Sequence, residues 1–236
     1  SEADDAWFAE LGQRLADTLD ATGLPRCKGG VMVSNPPWRG TVAQWRSRIG
    51  EWLRRASPDD ILNVDIFFDL VSVAGDTELA RKVHTDAVQV ASRSPAFLGL
   101  LAQATRSVAP RFSLLGNLSL DEGRLNLKRD GLLPLVSLAR TLALRIGSRS
   151  RATPERLRDI VAAGRLGEKD GERLIQLHGL ILTLILKQQL DDIEQGIPTG
   201  NSVLYRELGS EVQQQLKQGL RRLDTVVNEI QSLISG

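Results

Sequence analysis

From residue 95 to the C-terminus of this 236-residue chain, every strong periodic signal has helical spacing, and that excludes a sheet-dominated architecture. Residues 95–109 and 132–146 read as two helices. Thr153 and Pro154 place a cap and a first-turn proline before a helix that ends near Gly164. Residues 172–195 form the longest helix, closed by Gly196 and then Pro198. The last helix begins at Ser210, with Gln213 completing a capping box. Its stripe runs through Val212, Leu216, Leu220, Leu223, Val227, Ile230 and Leu233. Stripes this narrow bury one face each and predict a helical bundle. The stripe from Leu216 to Leu233 is wide enough to serve an internal core or a partner, a second copy of the chain included.

The first 94 residues break that monotony. Residues 5–22 carry Phe8, Leu11, Leu15 and Leu19 on one helical face, and Gly23 and Pro25 stop the helix. Residues 30–34 form a short apolar run that reads as a strand or extended segment, and Asn35-Pro36-Pro37 cannot be helical. Thr41 caps a helix carrying Trp45, Ile49 and Trp52, which ends before Pro58. Residues 61–73 are rich in β-branched and aromatic side chains and read as the one confident strand. A turn at Gly75-Asp76 precedes a helix over residues 77–92. The expected fold class is therefore mainly α with a small α+β portion, the boundary lying near residues 92–96.

Charge and cysteine content remove several function classes. Thirty Lys and Arg oppose 29 Asp and Glu, so no global field favours nucleic acid or an anionic membrane. The local basic cluster at Arg46, Arg48, Arg54 and Arg55 lacks interleaved aromatics on its face. One cysteine excludes an internal disulfide framework and fits a reducing, cytoplasmic setting. No apolar run approaches the roughly 18 residues of a membrane span. The two histidines, His84 and His178, lie in separate helices and do not make a zinc site. Phosphate-loop, dinucleotide-binding and nucleophile-elbow motifs are absent, and Cys27 has no sequence neighbour to act as its base.

Asp65 and Asp69 carry the remaining chemistry. Each sits among apolar residues, and their spacing of four puts both on one face of the expected strand. A half-buried carboxylate needs a partner. Either the pair holds a Mg²⁺ ion, as acids on adjacent strands do in nucleotidyl transfer, or it pairs with nearby arginines.

The stretch Cys-Lys-Gly-Gly-Val-Met-Val-Ser-Asn-Pro-Pro-Trp-Arg at 27–39, followed by Trp45 to Trp52, Phe67-Phe68-Asp69-Leu70 and Gly75-Asp76, resembles a family of bacterial nucleotidyltransferases of unknown target. These are themselves similar to the uridylyltransferases of the nitrogen-regulatory protein PII. Further along, Leu125-Asn126-Leu127-Lys128, Leu138-Ala139-Arg140, Thr153-Pro154-Glu155-Arg156-Leu157, Gln188-Gln189-Leu190 and Gly196-Ile197-Pro198 resemble that family's C-terminal substrate-binding domain. The resemblance implies a partial nucleotidyltransferase-like domain over residues 1–94 and a substrate-binding bundle over 95–236. It implies transfer of a nucleotidyl group from an NTP, with Mg²⁺, to a protein or small-molecule acceptor in bacterial signalling. It also implies regulatory modules upstream, cyclic-nucleotide-binding and CBS domains among them. On this reading Asp69, then Asp65, is the catalytic carboxylate, with Asp69 a metal ligand. Gly29, Gly30, Ser34 and Trp38 approach the nucleotide, and Lys128 and Arg140 contact the substrate. Two departures stand out. The family's Gly-Ser turn followed by Asp-x-Asp is missing, and Val71 stands where relatives often carry an arginine. The chain is therefore expected to be a fragment, inactive alone, with the alternative of a non-catalytic interaction or dimerisation module.

Overall fold

The computed structural model describes residues 2–55, 58–113 and 116–235. Its helices, in order, are α1 (Glu2–Ala21), α2 (Val42–Arg55), α3 (Pro58–Phe67), α4 (Thr77–Ser92), α5 (Pro95–Ser107), α6 (Leu133–Arg145), α7 (Thr153–Ala162), α8 (Glu168–Glu194) and α9 (Ser210–Ser235). A two-stranded antiparallel ribbon pairs β1 (Arg124–Asn126) with β2 (Ser202–Leu204), Leu125 facing Val203. The fold is mainly α, as the periodicity implies.

Helices α5 to α9 form the bundle. Neighbours in sequence from α5 to α9 pack on one another, and α9 returns to cover both α5 and α6. The stripe on α9 supplies the centre: Leu216, Leu223, Val226, Val227 and Ile230 are fully buried. That stripe is thus internal core rather than a partner surface. The ribbon crosses from the α5–α6 connection to the α8–α9 connection, and buried Asp192 holds the end of α8 by accepting from Gln188 Nε2 and Gly200 N, both at 2.7 Å. Gln189 bonds Asn201 of the same connection, so the adjacent glutamines tie α8 to the ribbon. A π-turn (Lys128–Leu132) leads into α6. It packs Gly131 so close to Ile181 that an added Cβ would approach Cδ1 to 2.7 Å.

Three local expectations are corrected. Residues 61–73 are not a strand: α3 occupies their first half and a turn follows. Val64, Phe67 and Phe68 are all buried, a three- and four-residue spacing that only a helical backbone places on one face, and burial outweighs β propensity. Residues 30–34 are turns closed on themselves rather than a strand, with Gly30 at φ +71°. Residues 2–55 and 58–94 contain no strand among those described, so the small β content sits in the bundle. At α9 the capping box does not form: Gln213 N donates to the Gly209 carbonyl, so Gly209 rather than Ser210 stands at the cap, and Gln213 Nε2 donates to the carbonyls of Tyr205 and Leu208. The box exists at α2, where Gln44 N donates to Thr41 Oγ1 and Thr41 N to Gln44 Oε1.

Helix α1 forms where expected but turns its apolar face outward. Phe8, Leu11, Leu15 and Leu19 are 40 to 54% exposed, whereas Gly12 and Ala16 face the chain. Glycine at 12 is needed there: a Cβ would meet the Val33 carbonyl oxygen at 2.8 Å. No helix among the described residues is long and apolar enough to cross a membrane.

Candidate functional site

Asp65 lies on the last turn of α3 and Asp69 one turn further, in a turn where Phe68 N reaches Val64 O. A spacing of four keeps the two carboxylates together on a helix as it would on a strand. Opposite them, Arg140 projects from the middle of α6 and Arg156 from α7, with side chains only 9% and 3% exposed.

The four charges interlock. Arg140 Nη1 lies 3.2 Å from Asp65 Oδ2, and Arg140 Nη2 pairs with Asp69 Oδ2. Arg156 Nη2 donates to Asp69 Oδ1 at 2.7 Å and to the Phe68 carbonyl at 3.1 Å, while its Nε donates to Ser150 O at 2.8 Å. His84, buried in α4, donates through Nε2 to the same Phe68 carbonyl at 3.2 Å. Arg151 Nε donates to Leu70 O at 2.5 Å. Helices α4, α6 and α7 and the α6–α7 loop thus grip one three-residue segment, 68–70.

The two acids respond differently. Burial raises the Asp65 carboxyl above its ordinary range, and Arg140 only partly offsets it. Burial also opposes ionisation of Asp69, but the hydrogen bonds and charges of Arg140 and Arg156 outweigh it and hold that carboxyl low. Burial depresses His84, so it is held neutral.

This arrangement does not fit a Mg²⁺ ion. Two carboxylates face two guanidiniums, so the cluster offers a divalent cation no net negative field, and both Asp69 oxygens already accept from arginine. Among the described residues no group of three His, Cys, Asp or Glu side chains is arranged to hold a metal. The second alternative for Asp65 and Asp69, pairing with arginine, is the one the geometry realises.

The other expected site residues lie apart from this cluster. Gly29, Gly30 and Ser34 belong to the self-bonded loop 27–39, in which Asn35 Nδ2 donates to Gly30 O and Arg39 Nη1 to Ser34 O. Trp38 packs between Trp45 and Trp52, ring centroids 6.2 and 6.0 Å away, as an anchor for that loop. Contacts continue from Trp45 to Phe67 and from Phe67 to Phe68 and His84, so an aromatic row joins the loop to the cluster. Lys128 is exposed on the π-turn, twelve residues before Arg140 and roughly 18 Å along the helix axis. Arg46 pairs with Asp86, and Arg48 donates to the carbonyls of Arg39 and Pro36, so neither is held ready for nucleic acid.

Arg151 and Arg156 are not among the expected site residues, and His84 is expected only as a histidine outside any zinc site. For Arg156 a signal existed: it falls on the buried face of α7 with Thr153, Leu157 and Ile160, a register where an arginine must find a buried partner. Beside it the α6–α7 loop lines an open cavity of about 710 Å³. There Ser148 and Ser150 donate to Asp159 Oδ2 at 2.5 and 2.7 Å, and the exposed Arg149 side chain has no partner among the described residues.

Two family profiles match the chain. Residues 95–234 match the family described as "Putative nucleotidyltransferase substrate binding domain", and residues 1–59 match "Putative nucleotidyltransferase DUF294". Arg140, Arg151 and Arg156 fall inside the first span, whereas Asp65, Asp69 and His84 fall between the two. No curated protein and no solved structure matches the chain significantly.

Proposed function

The chain belongs to the family of nucleotidyltransferase substrate-binding domains, and we propose that its bundle presents the acceptor to a nucleotidyltransferase centre. The bundle over 95–236 is the acceptor side, and residues 1–94 are the C-terminal part of the transferase domain. The reaction moves a nucleotidyl group from an NTP to a protein or small-molecule acceptor, in a signalling setting. The observation that carries this reading is the grip on residues 68–70. It fixes the end of the transferase-side segment against α6 and α7 of the substrate-binding bundle.

On this reading Asp65 and Asp69 are positioning residues. The Mg²⁺ belongs to carboxylates outside the cluster, and the outward apolar face of α1, Trp7 included at 58% exposure, supports a further layer of the transferase domain against that helix. The anionic part of the nucleotide lies in the α6–α7 loop cavity, where Arg149 supplies an uncommitted guanidinium beside the gripped segment. Lys128 and Arg140 do not meet there, so a shared substrate contact between them is not part of the proposal.

The test is direct. Incubated with labelled NTP, Mg²⁺ and cell extract, the 236-residue chain should transfer no label, while isothermal titration should show nucleotide binding that Arg149→Ala weakens about tenfold, the loss expected for one charge-assisted contact of ~1.4 kcal/mol. Label transfer by this chain alone would overturn the assignment of the metal-binding acids, and nucleotide affinity untouched by Arg149→Ala would overturn the placement in the cavity. A second reading, a non-catalytic interaction module, is favoured by the commitment of both Asp69 oxygens, and one of Asp65, to arginine.

A further inference from the structure

The bundle has one apolar stripe that faces away from its own core. On α8 the core side is Leu174, Leu177, Ile181, Leu184 and Ile185, all buried. The opposite side carries Leu182, Leu186, Leu190 and Ile193, and Ile197 extends the line just past the helix end. These side chains are 43, 58, 52, 62 and 49% exposed. Spaced by four, four, three and four residues, they form one continuous line along the helix. Five half-exposed aliphatic side chains make a patch on the order of 400 Å², within the roughly 300–600 Å² of the largest, often functional, patch on a soluble monomer.

The charges beside the stripe say what covers it. Lys187 and Glu194 are seven residues apart, two helical turns, and therefore share one flank. Lys187 lies three residues before Leu190 and Glu194 four after it, about 4.5 and 6 Å along the axis on either side. Both are exposed, and neither has an ionic partner among the described residues. An antiparallel pairing of two α8 helices about a two-fold axis near Leu190 sets each Lys187 opposite the Glu194 of the other copy. It also stacks Leu190 on Leu190 and brings Leu186 against Ile193. The other outward apolar face, on α1, lacks this self-complementarity: Arg14 is paired with Glu10 of the same helix and Asp17 with Arg26.

We infer that the outer stripe of α8 is an isologous interface between two copies of this chain. Two such faces bury on the order of 800 Å² before the flanks are counted, below the roughly 1,200–2,000 Å² of a stable complex. The dimer is therefore weak and concentration-dependent. The inference does not depend on the transferase reading, since no nucleotide or acceptor enters it.

Sedimentation equilibrium of the 236-residue chain over 1 to 300 µM tests it, with circular dichroism to verify folding of each variant. The wild type should shift from monomer to dimer across that range. Leu190→Asp, at an exposed position, should leave the fold intact and the protein monomeric. Lys187→Glu and Glu194→Lys should each weaken self-association at least tenfold. An equimolar mixture of those two variants should dimerise again, because each copy then offers the charge the other lacks. A monomer at 300 µM overturns the proposal. So does a dimer that survives Leu190→Asp and is lost in Leu11→Asp, which would put the contact on α1, or a mixture that associates no better than its components.

Discussion

Replacing Arg156 with methionine removes the most buried charged side chain among the described residues while keeping most of its volume. Three bonds disappear, to Asp69 Oδ1, Phe68 O and Ser150 O. The losses are unequal. Phe68 O keeps the His84 donor, and Asp69 keeps Arg140 and is 42% exposed, so water reaches it. Breaking a buried ion pair from one side typically costs 3–5 kcal/mol, and these residual partners place Arg156→Met at the low end, about 3 kcal/mol. For a chain of this length that is a fall in Tm of roughly 6–12 °C. Asp69→Asn, more exposed, should cost about 2 kcal/mol, because both arginines stay buried with one carboxylate fewer to share. Since the two single variants break the same contact, the double variant should cost about 3.5 kcal/mol, leaving a coupling of about 1.5 kcal/mol. Arg156→Lys should recover less than half the loss, as one ammonium cannot reach a carboxylate and two carbonyls at once. Urea denaturation followed by circular dichroism reads all four proteins. A cost below 1 kcal/mol for Arg156→Met, or strict additivity in the double variant, would refute the view that the cluster clamps residues 68–70.

Burial depresses both His84 and His178, so as pH falls the unfolded chain takes up protons before the folded one. Their contribution is full above the ordinary histidine value of about 6.5 and is lost as pH falls through the lower folded-state values. Thermal melts between pH 8 and 5 should therefore show falling stability, with a shallower slope in His84→Gln; an unchanged slope would remove His84 from the account. Leu223→Ala, in the bundle centre, should cost about 3 kcal/mol, whereas Leu186→Ala on the outer stripe should stay within about 0.5 kcal/mol in dilute monomer. Equal costs at the two sites would contradict the assignment of inner and outer faces.

Helix positions were legible wherever an amphipathic stripe and a stop signal coincided. The helix expected over 77–92 coincides with α4, and Asp76 caps it by accepting from Glu78 N and Leu79 N. Pro154 falls in the first turn of α7 as expected, but Thr153 is already helical and does not cap it: the N-cap residue is Ala152, with no side-chain cap bond. Residues 61–73 misled because Val, Ile and Phe favour strands locally, while the contacts that decide the matter, α3 against α2 and Phe67 against Trp45, are tertiary. The pairing of Asp65 with Asp69 survived this error only because a spacing of four shares a face in both geometries. The outward face of α1 was invisible for a different reason: periodicity shows that a face is apolar and not whether anything covers it. Arg140 was legible as a charge in an apolar helix, but its partners were not, being 75 and 71 residues away in sequence.

Stability alone does not explain why this clamp is ionic. Replacing a buried ion cluster by apolar residues of similar volume is commonly neutral or stabilising, so four charges here are an inefficient way to hold a segment down. Arginine offers direction: its planar fork fixes where a carboxylate and two carbonyls must sit, which leucine at the same place would not. The hypothesis is that the cluster specifies the orientation of residues 68–70 on the bundle more than it stabilises the fold. A variant carrying Asp65→Leu, Asp69→Asn, Arg140→Met and Arg156→Met should melt within about 5 °C of wild type, far better than Arg156→Met alone. It should nevertheless lose amide protection over α3 and the turn at 68–70, while α8 and α9 keep theirs, when hydrogen exchange is followed residue by residue. Full protection of α3 in that variant would show that packing of Val64, Phe67 and Phe68 is enough to place the segment, and the orienting role would fall.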